Sequence, residues 1–241
     1  MTDALGLRAV FSVVLPAMNS VAEPDMAALR PPGVSNQTFR FPFPGRPDNF
    51  DALADLMGPT LALSLECEPD RIVIGYTTEF LPDGITVASR LRGFVEGALG
   101  RPATMASDAV PEALKTLGAR RISILTPYPA PANRNVEAYF AALGFSVAGI
   151  AGLFSGQKGR VFAARIGEAD VREGFARLDA ADVEALVQVG TNLACSGFAA
   201  EVEARHAKPV VAVNAATYWL ALRRHGIADR LDGHGVLLAR H

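Results

Sequence analysis

The run ISILTP, residues 122–127, is apolar apart from Ser123 and Thr126 and stops on a proline; 111 residues earlier VFSVVLP, residues 10–16, stops the same way. Runs this rich in Val, Ile and Leu fit strands buried on both faces, and a proline, with no N–H to give to a ladder, marks their end. A second pair of strand ends recurs at nearly the same interval. IVIGYTTEF, residues 72–80, and LVQVGTNLA, residues 186–194, place Tyr76 and Gly190 at corresponding positions 114 residues apart. Two pairs at one spacing indicate an internal duplication, with halves of about a hundred residues each.

Helical stretches separate these strands, among them DALADLMGPTLALSLE (51–66), GITVASRLRGFVEGAL (84–99), NVEAYFAALG (135–144) and GFAAEVEARH (197–206). Strands alternating with helices, uninterrupted by a Pro-, Gly- or Ser-rich linker, predict an α/β protein. The expectation is two similar Rossmann-like parallel-sheet domains related by pseudo-two-fold symmetry, with the active site in the cleft between them. Residues 1–116 together with 216–241 are assigned to the first domain and 117–215 to the second.

Of the 241 residues, 50% are hydrophobic and 20% charged, the balance of a globular chain able to bury a sizeable core. A formal net charge of −2 offers no basic surface for a phosphate backbone, so nucleic acid is excluded as a partner class. No apolar run reaches the roughly 18 residues of a membrane span, and no basic segment precedes the apolar N-terminal run as an export signal would require. Two cysteines, Cys67 and Cys195, are too few for a disulfide framework, which fits a cytoplasmic protein. The four histidines, His206, His225, His234 and His241, fall outside any metal-binding spacing, so neither a metal nor an organic cofactor is expected. Whether the chain forms a homo-oligomer stays open.

In parallel sheets ligands bind beyond the carboxyl ends of the strands. Four loops meet that description: Pro16–Asn19, Gly75–Glu79, Thr126–Tyr128 and Gly190–Asn192. Each is expected to run into a helix, whose free N–H groups and positive dipole end favour a carboxylate. Asn19, Thr77, Thr78, Gly190, Thr191 and Asn192 are candidate substrate-binding residues, and Gln157 in LFSGQKGRV is a further amide within reach. Capping of helices is the competing role for Thr77, Thr191 and Asn192. Tyr76, Tyr128 and Glu79 are the groups able to move a proton. Glu79, at an expected helix start, serves equally as a base or as a complement to the dipole. Arg40 and Arg46 flank FRFPFPGR, residues 39–46, read as a flap over the cleft or as packing. Asn214 is expected to support the site from behind.

Three segments carry a resemblance. LPAMNSVAEPDMAAL (15–29), TPY (126–128) and GTNLACSGFAAEVEARHAKPVVAVNAATYW (190–219) resemble segments of the maleate cis-trans isomerases. The similarity extends to the arylmalonate decarboxylases and the ectoine-utilisation EutA group, all of the aspartate/glutamate racemase superfamily. It implies an enzyme acting on a small carboxylic acid, with a cysteine at the strand end of each half and a tyrosine, here Tyr128, that hydrogen-bonds the substrate carboxylate. At those two places this sequence has Tyr76 and Gly190, while Cys195 lies five residues after Gly190 and Cys67 lies before its strand. The resemblance therefore implies a non-cysteine variant of the site: an isomerase, a decarboxylase or other lyase, or a hydratase or hydrolase. An altered carboxylate-binding protein, or a cysteine enzyme that uses Cys195, are the alternatives.

Overall fold

The computed structural model describes residues 5–45, 47, 50–100, 102–156, 159 and 161–241. Eight strands form two all-parallel sheets. The first joins β1 (Ala9–Pro16), β2 (Val34–Phe41), β3 (Arg71–Ile74) and β4 (Ala103–Met105) in the order β2-β1-β3-β4. The second joins β5 (Arg121–Thr126), β6 (Ser146–Gly152), β7 (Ala185–Gln188) and β8 (Val210–Ala212) in the order β6-β5-β7-β8. The two orders are the same order, so the duplication read from the strand ends extends to the topology.

The inner strands are buried because helices cover both faces of each sheet. Along β1, Phe11, Val13 and Leu15 join a core that runs on through α4 (Ala106–Leu117) and α8 (Val213–Arg224) to the second sheet. From the other face Val14 packs with Leu53, Met57 and Leu61 of α2 (Phe50–Leu63) and with Leu91 and Val95 of α3 (Gly84–Leu99). The first face thus belongs to one continuous core shared by both sheets, which holds them in fixed relation. α8 follows the last strand of the second sheet, yet lies against α1 (Ala22–Ala28), α4, β3 and β4 of the first. Its fully buried Tyr218 donates from Oη to Asn36 Oδ1 of β2 at 2.8 Å.

β1 pairs with β2 on one side and β3 on the other, and β5 likewise lies between β6 and β7. The chain therefore changes direction across each sheet at β1/β3 and at β5/β7, and crevices open outside strand ends at such switch points. The four loops of interest follow these four strands. Two lead into a helix within three residues: Pro16–Asn19 into α1, whose start Asn19 caps, and Thr126–Tyr128 into α5 (Ala130–Ala142). After Thr78 the chain makes a turn closed by Thr78 Oγ1 donating to the Gly84 carbonyl at 2.8 Å, and α3 starts only there. After Asn192 a short 3₁₀ turn, Ser196–Phe198, precedes α7 (Ala199–His206). The expectation that each loop opens directly into a helix N-terminus is corrected for Gly75–Glu79 and Gly190–Asn192, and Glu79 does not stand at the start of α3. The segment read as a flap is also partly strand, since Phe39–Phe41 complete β2.

Candidate active site

The loops converge on a cleft of about 380 Å³. Its polar side is formed by Asn19, Thr77, Tyr128, Gly190, Thr191 and Asn192, and its apolar side by Phe43, Tyr76, Phe80, Phe154 and Phe162. No Lys, Arg or His is among the described residues that line it. An anion held here relies on neutral donors.

Hydrogen bonds across the halves decide which donors are available. Asn19 Oδ1 accepts from the backbone N–H groups of Val21 and Ala22, both at 3.0 Å, and so caps the start of α1. That fixes its amide nitrogen to donate to Thr191 Oγ1 at 3.0 Å. Asn19 is therefore committed to holding Thr191, and Thr191, already accepting, has its own hydroxyl proton left for the cleft. Asn192 Oδ1 accepts from the Ser20 backbone at 2.9 Å, while its buried Nδ2 has no partner. A buried amide donor without a partner costs about 1–3 kcal/mol, an imbalance that an anionic ligand would remove. Behind these residues Asn214 Nδ2 donates to the Thr191 carbonyl at 3.0 Å and to Asp25 at 2.8 Å, and Ser196 Oγ donates to the same carboxylate at 2.9 Å. Burial raises the pKa of Asp25, against these two hydrogen bonds and the charge of His234.

Tyr128 is half-buried at the polar side, its ring centroid 5.1 Å from that of Phe80. Its backbone N–H donates to Thr126 Oγ1 at 3.0 Å. Burial, then the nearby Glu79 carboxyl, pushes the phenol well above its ordinary pKa, so it stays protonated. Thr77 lines the cleft together with Tyr128 and, on its other side, a small void together with Glu79. Glu79 itself is not among the cleft residues. It is 2% exposed beneath Thr77, beside a void of about 10 Å³ that Ser107 and Tyr139 also line. Burial, opposed by hydrogen bonds from Thr77, Thr78 and its own backbone, raises its pKa to about 7.

Gly190 has φ +91°, and a Cβ there would stand 2.7 Å from the Pro127 ring and 3.2 Å from Tyr128 Oη. The position accepts no side chain as the backbone stands. Tyr76 fills the corresponding place in the first half, its ring packed by Phe41, Phe43 and Phe80 at centroid distances of 6.1, 5.8 and 6.1 Å. Cys195 lies outside the cleft lining, 1% exposed, its thiol pKa raised by burial and then by Asp25. Cys67 sits at the far end of the first sheet, where Ser12 Oγ is 3.2 Å from its sulfur. Iodoacetamide is expected to leave Cys195 unmodified in the folded protein, because the thiolate it needs is suppressed; mass mapping that finds rapid, ligand-protected alkylation would refute this.

Of the sequence candidates, Asn19, Tyr76, Thr77, Tyr128, Gly190, Thr191 and Asn192 meet in the cleft, and Thr78 and Glu79 lie behind it. Gln157 and Arg46 lie outside the described residues. Arg40 does not reach the cleft lining; it donates to the Asn19 carbonyl at 2.5 Å and pairs with Glu23. Of the aromatic wall, sequence reasoning reached Tyr76 and, within the segment 39–46, Phe43, and missed Phe80, Phe154 and Phe162. Phe80 directly follows the Gly75–Glu79 loop and was within reach of that reading, whereas Phe154 and Phe162 arrive from the irregular chain after β6 with no local signal. Among the described residues no helix is long and apolar enough to cross a membrane, and no group of three or more His, Cys, Asp or Glu could hold a metal ion.

The fold has known counterparts. A maleate cis-trans isomerase of Nocardia farcinica, solved with a covalently bound succinylcysteine intermediate, superimposes with a TM-score of 0.86 over 99% of this chain and 100% of its own, at 21% identity. A maleate isomerase variant of Pseudomonas putida solved with maleate gives 0.80 over 98% of each chain, at 22% identity. A variant of arylmalonate decarboxylase in a sulfate-associated form gives 0.80 over 95% of this chain and 98% of its own, at 25% identity. No curated protein matches by sequence. The family model for arylmalonate decarboxylase matches residues 72–238, which include β3 to β8 and three of the four cleft loops, and the chain belongs to that family.

Proposed function

We propose that the protein is a cofactor-independent lyase that releases carbon dioxide from a small dicarboxylic acid bearing an apolar substituent, by a route that uses no thiol. The carrying observation is that Thr191, Tyr128 and Asn192, whose buried amide nitrogen has no partner, line one side of a cleft whose other side is aromatic and whose described lining contains no cysteine.

The chemistry follows from that division. One carboxylate takes the donors of Thr191 and Asn192, and the substituent lies against Phe43, Phe80 and Phe162. The other carboxylate then has apolar surroundings, where a charge is poorly solvated and neutral carbon dioxide is not. As the carbon–carbon bond breaks, its electron pair moves into the retained carboxylate to give an enediolate, whose growing negative charge the same donors stabilise. The α-carbon is then protonated. An enediolate carbon is far more basic than a phenolate, so the Tyr128 hydroxyl can supply that proton and be restored from solvent. The Nocardia farcinica isomerase carries its intermediate as a succinylcysteine. A covalent adduct of that kind needs a thiol at the substrate, which favours decarboxylation over isomerisation here.

The test is incubation with phenylmalonate, alkylmalonates and maleate, followed by NMR. Appearance of the corresponding monocarboxylic acid supports the reading. Formation of fumarate or of a hydrated acid instead would point to an isomerase or a hydratase, and binding without turnover to a carboxylate-binding protein. Asn192→Ala is expected to weaken carboxylate binding by about 1.5–3 kcal/mol, the worth of a charge-assisted hydrogen bond, with little change in thermal stability. Unchanged affinity would remove Asn192 from the site.

A further inference from the structure

Hydrogen bonds from the first helix of one half hold the loop after β7 of the other. Asn19, which caps α1, donates to Thr191 Oγ1 at 3.0 Å, and the Ser20 backbone donates to Asn192 Oδ1 at 2.9 Å. Within α1, Asp25 accepts from Ser196 Oγ at 2.9 Å and from Asn214 Nδ2 at 2.8 Å, both on the same oxygen, Oδ2. The Asn214 amide carries that grip to the cleft. Its nitrogen has two N–H groups, one given to Asp25 and the other to the Thr191 carbonyl at 3.0 Å, while its Oδ1 is buried without a partner. With nothing bonded to the oxygen, the two acceptors alone decide which way the amide faces. Loss of Asp25 would leave one acceptor, and a half-turn of the amide would then set Oδ1 against the Thr191 carbonyl.

We propose that Asp25 is a positioning residue of the carboxylate site: by fixing the Asn214 amide it holds the Thr191–Asn192 peptide, and with it both donors, in the orientation that meets a carboxylate. The inference rests on reading the cleft as a carboxylate site. Thr191 is gripped twice, at its hydroxyl by Asn19 and at its carbonyl through Asn214. Asn192 shares the peptide bond of that carbonyl, so a tilt there moves the unpartnered Asn192 amide as well. Water does not compete for these bonds, because Asn19 and Asn214 are each 1% exposed and Ser196 is 2% exposed. Donors locked before the ligand arrives need no reorganisation when charge develops on it. The charge of Asp25 acts with the opposite sign, since a carboxylate behind an anion site repels the anion. Removing the charge alone tightens binding, whereas removing the acceptor loosens the donors.

That opposition makes the test. The probe is phenylacetate, titrated into the full chain by calorimetry, with the backbone amide of Asn192 followed by ¹⁵N NMR because it reports on the Thr191 carbonyl. Asp25→Ala is expected to weaken phenylacetate binding by about tenfold, the scale of one misplaced hydrogen bond, and to shift the Asn192 amide resonance of the ligand-free protein. Asp25→Asn, which keeps an oxygen for both donors and loses the charge, should bind at least as tightly as the unaltered protein and leave that resonance in place. Because Asp25 acts through Asn214, the double variant Asp25→Ala with Asn214→Ala should bind no more weakly than Asn214→Ala alone. Unchanged affinity in Asp25→Ala, an equal loss in Asp25→Asn, or losses that add in the double variant would each overturn this inference alone. Should Asp25→Ala fail to fold, Asn214→Ala and Asp25→Asn decide it: weaker binding in the first with unimpaired binding in the second supports the proposal, and any other pattern overturns it. Absence of phenylacetate binding by the unaltered protein would overturn the carboxylate reading and this inference with it.

Discussion

Tyr128→Phe is expected to lower turnover of the dicarboxylic acid by roughly 10²- to 10³-fold, the usual cost of removing a proton donor or an oxyanion donor from a water-poor site. The ring is retained, so its contact with Phe80 and the shape of the cleft survive, and the effect should fall on kcat more than on KM. Loss of the hydroxyl removes the proton destined for the α-carbon. Steady-state kinetics on whichever malonate the NMR survey identifies would measure it. A change smaller than about threefold would transfer the protonation step elsewhere, with Tyr76 the next hydroxyl at the cleft.

Gly190→Ala is expected to destabilise the protein by roughly 3 kcal/mol and to lower Tm by about 6 to 12 °C. Two costs combine. At φ +91° an L side chain is strained, and its methyl group would stand 2.7 Å from the Pro127 ring. A shift that relieves the clash moves Pro127 or the Tyr128 hydroxyl, so activity should fall along with stability. Differential scanning calorimetry with a parallel rate assay checks both. An unchanged Tm would show that the backbone at residue 190 relaxes easily, and would weaken the case that this strand end accepts nothing larger than hydrogen. Cysteine introduced there meets the same obstacles.

Much of the architecture was legible because the inner strands are doubly buried and so read as plain apolar runs ending at Pro16, Tyr76, Pro127 and Gly190. The edges were not. β2, VSNQTFRF, is polar and only partly buried along most of its length, while β4 has three residues, too short for any periodicity to show. α4 contains Pro111, which reads as a break although the helix passes through it. Within the site, sequence position located the polar loops but not their depth. Glu79 was placed at a helix start because the Gly75–Glu79 loop was expected to run into a helix, and the turn from Thr78 to Gly84 instead carries it beneath the cleft floor. Asn19 was recognised as a site residue, yet the commitment of its amide to Thr191 depends on a contact 172 residues away in the chain.

The duplicated sheets bring two equivalent strand ends to one cleft, and those ends have become unlike: Tyr76 fills one and Gly190 empties the other. A site with matching acids on either side can add hydrogen to a planar carbon from above or below and yields a mixture of mirror images. Here the Tyr128 hydroxyl stands on the Gly190 side, 3.2 Å from where a side chain there would begin. The opposite side is packed with aromatic rings. A prochiral enediolate held between them would gain its hydrogen on one face only, making the product a single enantiomer and tying its handedness to which of the two equivalent strand ends carries the glycine.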